Sequence, residues 1–191
     1  NSDFLLPRLD LSQVISQPLA HYIQAREGSV RLNKRIRSIT SNNGGFALET
    51  RDGTYHFSHV IVATSPARVD KLLEQLPKLK RTSEQIATYS YQPIYTIYLQ
   101  YPKNTKLPAM IDGLTGTVGQ WVFDRGQLCG QHGMIAVIVS AEGKHQKLTQ
   151  DQLALDVVKE LHQAYPQLHK PLWYKVIAEK RATFSCLPDM V

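Results

Sequence analysis

Apolar positions fall into two regimes along the chain. From Pro18, the set Leu19, Tyr22 and Ile23 recurs at helical spacing, with Ser12 and Ser16 as possible starts and Gly28 as a stop. Short strands are expected at Val30–Leu32 and Ile36–Ile39. The turn Asn42-Asn43-Gly44-Gly45 follows, then a strand over 46–50, the turn Arg51-Asp52-Gly53, and the alternating Tyr55 and Phe57. The run His59-Val60-Ile61-Val62-Ala63 is apolar at successive positions, the pattern of a strand buried on both faces. It ends at Thr64-Ser65-Pro66, after which Val69, Leu72, Leu73 and Leu76 return to helical spacing.

Pro77 to Arg81 reads as a basic, irregular stretch, and a change of domain is expected there. Beyond it, residues 95–99 predict a strand and Leu107–Gly119 a loop or bent strand. Residues 120–124 and 134–140 predict a hairpin around 125–133. Thr149 and Gln152 form a capping box ahead of Leu153, Val157, Val158 and Leu161, which predicts a helix over 150–164. Pro166 and Pro171 follow it, and Leu172–Phe184 predicts a last strand. The fold class expected is α+β: a mixed or antiparallel sheet domain with helices over 81–191, preceded by a partial domain over 1–80.

Composition changes this picture little. The 191 residues are 42% apolar and 20% charged, the balance of a globular chain, and no apolar run reaches membrane-spanning length. The first residues lack a basic region followed by an apolar one, so no signal peptide is expected; the last show no termination signal, so an internal piece of a longer protein is expected. Surfaces that would meet the rest of that protein are then expected to expose apolar side chains or to be covered by a second copy. The net charge of +6 is concentrated in residues 26–81, which hold eleven of the 22 Lys and Arg but five of the 16 Asp and Glu. Nucleic acid, an anionic membrane face or a cofactor pyrophosphate would each suit that excess. Cys129 and Cys186 lie far apart without a metal-ligand spacing, and the scattered histidines suggest no metal site. No GxGxxG, P-loop, GxSxG or HExxH occurs.

One stretch carries a chemical signal. A β-meander over 28–52, then a strand ending Ala63-Thr64-Ser65-Pro66, then a helix, is an order in which a small residue admits a dinucleotide and a threonine hydroxyl can bond to it; it equally describes a generic buried strand followed by a Ser-Pro helix start. The segments GSVRLNKRIRSIT, GGFALETRDGTYHFSHVIVATSPARVDKLL and GQWVFDRG resemble the central part of the flavin-containing amine oxidase and phytoene desaturase superfamily. Together with GMIAVIVSAEGKH and VIAEKRATFSCLPDMV, they resemble more narrowly the squalene-associated flavin desaturases, the hydroxysqualene dehydroxylases.

The resemblance implies part of a glutathione-reductase-type FAD-binding domain over 1–80 and a substrate domain over 81–191, with FAD as cofactor. It places the Ile36 backbone by the adenine and Ala63 and Thr64 near the phosphates or ribityl chain. The dinucleotide fingerprint and the closing Gly-Asp motif of such enzymes do not occur in these residues, so this chain by itself is expected to hold FAD weakly. Trp121, Phe123 and Arg125 are implied as substrate-binding, with Asp124 and Arg125 an ion pair orienting a loop. Tyr95 joins them within the set Tyr89, Tyr91, Tyr95 and Tyr98, whose ring faces suit a polyisoprenoid carbocation. Lys180 and Arg181 are candidates to hold a leaving hydroxyl if buried.

The implied reaction is reduction of hydroxysqualene to squalene. The alternatives are oxidation of an amine or carotenoid precursor, or a non-catalytic lipid- or nucleic-acid-binding domain. The leading expectation has an isoprenoid substrate, no nucleic-acid partner and no known protein partner, with a cytoplasmic location that allows peripheral contact with the membrane's inner face.

Overall fold

Whether an apolar run becomes a strand depends on what it can pair with, and the two halves of this chain differ in that respect. The computed structural model describes residues 5–42 and 44–188. The expectations touching residues 1–4, Asn43 in the first turn and residues 189–191 lie outside them. In chain order the elements are α1 (Gln17–Gln24), β1 (Ser38–Asn42), β2 (Gly45–Thr50), β3 (Gly53–Phe57), α2 (Asp70–Leu73) and α3 (Lys80–Ala87). Then come β4 (Tyr91–Gln100), β5 (Ile111–Gly113), β6 (Trp121–Asp124), α4 (Arg125–Cys129), β7 (Met134–Ser140), α5 (Gln150–Ala164) and β8 (Trp173–Phe184). This is an α+β architecture with antiparallel pairings.

The chain divides into two compact units. One comprises Asn1–Arg26 with Tyr91–Thr183, the other Glu27–Ser90 with Phe184–Val191. The boundary drawn at 80/81 falls at the first residue of α3, and the expected irregular stretch at 77–81 is a 3₁₀ turn running into that helix.

In the second unit, β1, β2 and β3 form an antiparallel meander. Ile39 is buried against Val69, Leu73 and Leu76, with Ile36, Phe46, Leu48, Val60, Leu72 and Ile86 packed around them. Two expected strands are absent. Residues 30–32 are irregular, leading into a turn where Asn33 takes a φ of 58°. The run 59–63 is also irregular; Ile61 is 93% exposed, and Ala63 lies open to solvent. Its apolar pattern suits the middle of a sheet, but the sheet of this unit is the three-stranded order β1-β2-β3, and among the described residues no strand pairs with the run.

The first unit is built on a five-stranded sheet of order β5-β6-β7-β4-β8. Opposed residues share a face, so Val122, Val137 and Ile97 form one row across β6, β7 and β4. Leu153, Ala154, Val157 and Leu161 of α5 join them in the same buried cluster. Each of these fully buried Val, Leu and Ile side chains contributes about 1.5–3 kcal/mol. Helix α5 begins as its sequence predicts: Thr149 Oγ1 accepts from the Gln152 N–H at 3.2 Å, and Gln152 Oε1 accepts from the Thr149 N–H at 3.0 Å. From the same helix, the Glu160 carboxylate accepts the N–H groups of Val118 and Gly119 at 2.8 and 2.9 Å. It thereby pins the loop ahead of β6. Gly119 is required there, because a Cβ would lie 2.8 Å from Val137 Cγ1.

Tyr101 belongs to this core, and its buried hydroxyl has no hydrogen-bond partner among the described residues. Burial pushes its pKa up to about 12. Below the ordinary tyrosine value near 10, both folded and unfolded states are protonated and stability is unaffected. From about pH 10 to 12 the unfolded chain releases this proton and the folded one holds it, so stability falls as pH rises. Replacing Tyr101 by Phe should leave neutral-pH stability unchanged or higher, since an unpaired hydroxyl is removed. It should also flatten the alkaline loss seen in urea melts at pH 9, 10 and 11; the part contributed by Tyr165, raised by burial and its bond to Asp112, remains.

Candidate functional site

Since α5 takes one face of the five-stranded sheet, the functional residues of that unit are sought on the other. Pairing of β5, β6, β7 and β4 places Ile111, Phe123, Ala136 and Tyr98 in one row across it, and Trp121, Ile138 and Thr96 in the next. Ala136 is thus a small residue between two aromatic ones. Trp121 is 48% exposed. In β8 burial alternates about the buried Val176, which sets Trp173 and Ile177 on the side away from that core; both are exposed.

An open cleft of about 500 Å³ in this unit is lined by Tyr98, Arg125, Gln131, Met134, Trp173, Tyr174, Lys175 and Asp10. Arg125 is fixed from several directions. Its Nε donates to Gln131 Oε1, one Nη2 hydrogen goes to Asp10 Oδ1 at 3.2 Å, and the guanidinium stands 5.9 Å from the centre of the Tyr98 ring. The side chain is 24% exposed.

Asp124 supplies the rigid base for Arg125. It is 2% exposed, and its carboxylate accepts the Leu107 N–H at 2.9 Å, the Gln127 N–H at 3.0 Å and Gln127 Nε2 at 2.8 Å. The second of these bonds caps α4, so Arg125 occupies the first position of a capped turn. That turn ends at Gly130, whose φ of 74° is the left-handed conformation glycine adopts without strain. The expected Asp124–Arg125 ion pair is therefore replaced: Asp124 serves the backbone, and the ion-pair partner of Arg125 is Asp10.

Of the other expected residues, Trp121 and Phe123 share the open face. Tyr95 does not. It pairs opposite Val139, on the α5 side, and meets the buried His145 ring edge-on at 5.0 Å. Lys180 and Arg181 are both exposed, so neither is the buried cation envisaged for a leaving group; Arg181 stands 6.0 Å from the centre of the Tyr91 ring. Asp10, Gln131, Met134 and Trp173 were not anticipated. For Trp173 the signal was present, since alternation from the buried Val176 sends it to the open side.

In the other unit, the bond from Arg37 N–H to Glu49 C=O (2.8 Å) is the last of the meander ladder. Ile36 lies one residue beyond it, its side chain packed on the core and its main-chain groups outside the ladder. Ala63 and Thr64 lie in exposed irregular backbone ahead of the Pro66 turn. These positions leave main-chain groups and a hydroxyl available to a nucleotide, so the residues present fit part of a flavin site. A glycine-rich helix start for the diphosphate does not occur in the sequence.

The profile of the flavin containing amine oxidoreductase family matches residues 9–182. No curated protein matches the chain. Among solved structures, cyclohexylamine oxidase from Brevibacterium oxydans is similar at a TM-score of 0.64 and 16% identity, over 87% of this chain and 38% of that one. A single-substitution variant of putrescine oxidase is similar at 0.65 and 18%, over 85% and 38%. A fatty acid isomerase from P. acnes that produces CLA is similar at 0.58 and 16%, over 84% and 38%. The chain spans about two-fifths of the length of these structures, and at such identities the likeness concerns the fold.

Replacing Asp124 by Ala removes a helix cap and leaves the buried Leu107 N–H without an acceptor. The expected loss is roughly 2–4 kcal/mol in urea unfolding. Asp124→Asn, which keeps one acceptor oxygen, should lose less.

Proposed function

Because the chain belongs to the flavin containing amine oxidoreductase family, whose cofactor is FAD, we propose that it is the substrate-binding part of an FAD-dependent oxidoreductase acting on an apolar molecule. The observation that carries this reading is the open sheet face, where Tyr98 and Phe123 flank Ala136 and Trp121 stands in the next row. Aromatic walls over a small floor residue suit a hydrocarbon chain, and excluding water from it strengthens every remaining polar contact. Family membership takes the place of the non-catalytic alternative.

The narrower substrate we propose is hydroxysqualene, on the resemblance of the segment around Trp121–Arg125 and of residues 176–191 to the hydroxysqualene dehydroxylases. In that reaction the carbon–oxygen bond breaks, the hydroxyl leaves as water after taking a proton, and a carbon–hydrogen bond forms. When bound, reduced flavin supplies the hydride. The residues of this chain bind and orient: the open-face rings align the chain and steady positive charge at the reacting carbon. Ile36, Ala63 and Thr64 would hold the cofactor. An amine substrate fits less well, because the acid of the cleft, Asp10, is already paired with Arg125.

No helix among the described residues is long and apolar enough to cross a membrane. A substrate of this kind dissolves in lipid, so we place the enzyme in the cytoplasm, in peripheral contact with the inner face of the membrane, where the basic excess of residues 26–81 meets anionic headgroups.

The full-length protein should purify yellow with bound flavin and, once reduced, convert hydroxysqualene to squalene measured by gas chromatography. A protein that never takes up FAD would sink the reading. Flavin uptake without squalene would leave the family-level activity standing and remove this substrate.

A further inference from the structure

The cleft beside Arg125 has a chemical selectivity that its shape alone does not explain. Its walls are apolar or aromatic at Tyr98, Met134 and Trp173, and a cation sits among them. A lone guanidinium in such surroundings would be a site for a carboxylate or phosphate, which it binds through two parallel N–H bonds. Arg125 is not alone. Asp10 Oδ1 lies 3.2 Å from its Nη2, so the charge is already balanced where a ligand would arrive.

The remaining geometry says what the guanidinium can still do. Nε is committed to Gln131, one Nη2 hydrogen is committed to Asp10, and the guanidinium carbon stands 5.9 Å from the centre of the Tyr98 ring. Among the described residues Nη1 has no partner, so N–H donors remain for a ligand oxygen. An incoming anion would have to displace Asp10 or share the guanidinium with it, at the cost of repulsion between two carboxylates in contact. A neutral oxygen (a hydroxyl, ether or carbonyl) accepts the spare N–H without either penalty. Lys175, the other cation of the cleft, is exposed, where solvent and salt screen its pull on an anion.

We propose that this cleft is a binding site for apolar molecules bearing one uncharged oxygen, that Arg125 donates to that oxygen, and that Asp10 is the residue that excludes anions. The inference deepens the proposed function, since it takes the cleft as part of the substrate site. It assigns to Arg125 the oxygen-holding role that sequence suggested for Lys180 or Arg181.

The test is titration of the protein with 1-decanol, decanoate and decane, followed by quenching of tryptophan fluorescence, with Trp173 in the cleft as reporter. Decanol should bind about tenfold more tightly than either of the others. Asp10→Asn should invert the preference towards decanoate. Asp10 is half exposed, so this variant should keep its fold, as checked by circular dichroism. Arg125→Met should reduce decanol binding to that of decane and leave decane unchanged; if it fails to fold, Asp10→Asn decides alone. The proposal is overturned if none of the three binds, if decanoate matches decanol in the unmodified protein, or if Asp10→Asn leaves their order as it was. A flavin-binding protein without the alcohol preference would lose this inference only. A protein that prefers decanol but never binds FAD would lose the functional reading instead.

Discussion

A β-sheet must cover its apolar face, and in the first unit that cover comes from α5. The helix stripe of Leu153, Ala154, Val157 and Leu161 belongs to the same buried cluster as Val122, Val137 and Ile97, and Glu160 holds the loop leading into β6. Once that side is taken, period-two alternation settles where every other side chain of β4, β6 and β7 must go. Phe123, Ala136 and Tyr98 come to the opposite face together because their neighbours are committed to α5. The aromatic surface thus follows from the core.

Asp124 links this packing to the cleft. A carboxylate at 2% exposure is costly to bury, and three N–H donors make it tolerable. Those donors come from the 107 segment and from the turn that carries Arg125. The same charge therefore ties a loop to a strand end and aims a guanidinium, and Asp10 then sets what that guanidinium can receive. Structure and recognition are joined through two acids with different tasks.

Local signals were readable in the sequence where an element's partner was also local. Thr149 and Gln152 announced α5 to the residue, and the hairpin of β6 and β7 was visible from two apolar runs and the turn residues between them. The run 59–63 misled for the opposite reason. Its composition describes the interior of a sheet, yet a strand exists only with neighbours, and the described residues supply none beside it. Tyr95 was grouped with the site by composition, although parity with Ile97 and Leu99 already assigned it to the core. Asp10 was beyond reach, because a salt bridge spanning 115 residues of sequence leaves no periodic trace.

The position of Ala136 bears on how a protein of this shape can change over time. It lies directly between Phe123 and Tyr98 and is itself buried, at 3% exposed, while Ile135 and Val137 on either side of it in β7 are buried on the opposite face, in the core with α5. A larger side chain at 136 would raise the floor between the rings without replacing any residue that meets α5. Neighbouring positions on one strand thus answer to separate demands, one to ligand fit and the other to folding. Divergence in what the face accepts can proceed by single substitutions while the architecture beneath it stays intact.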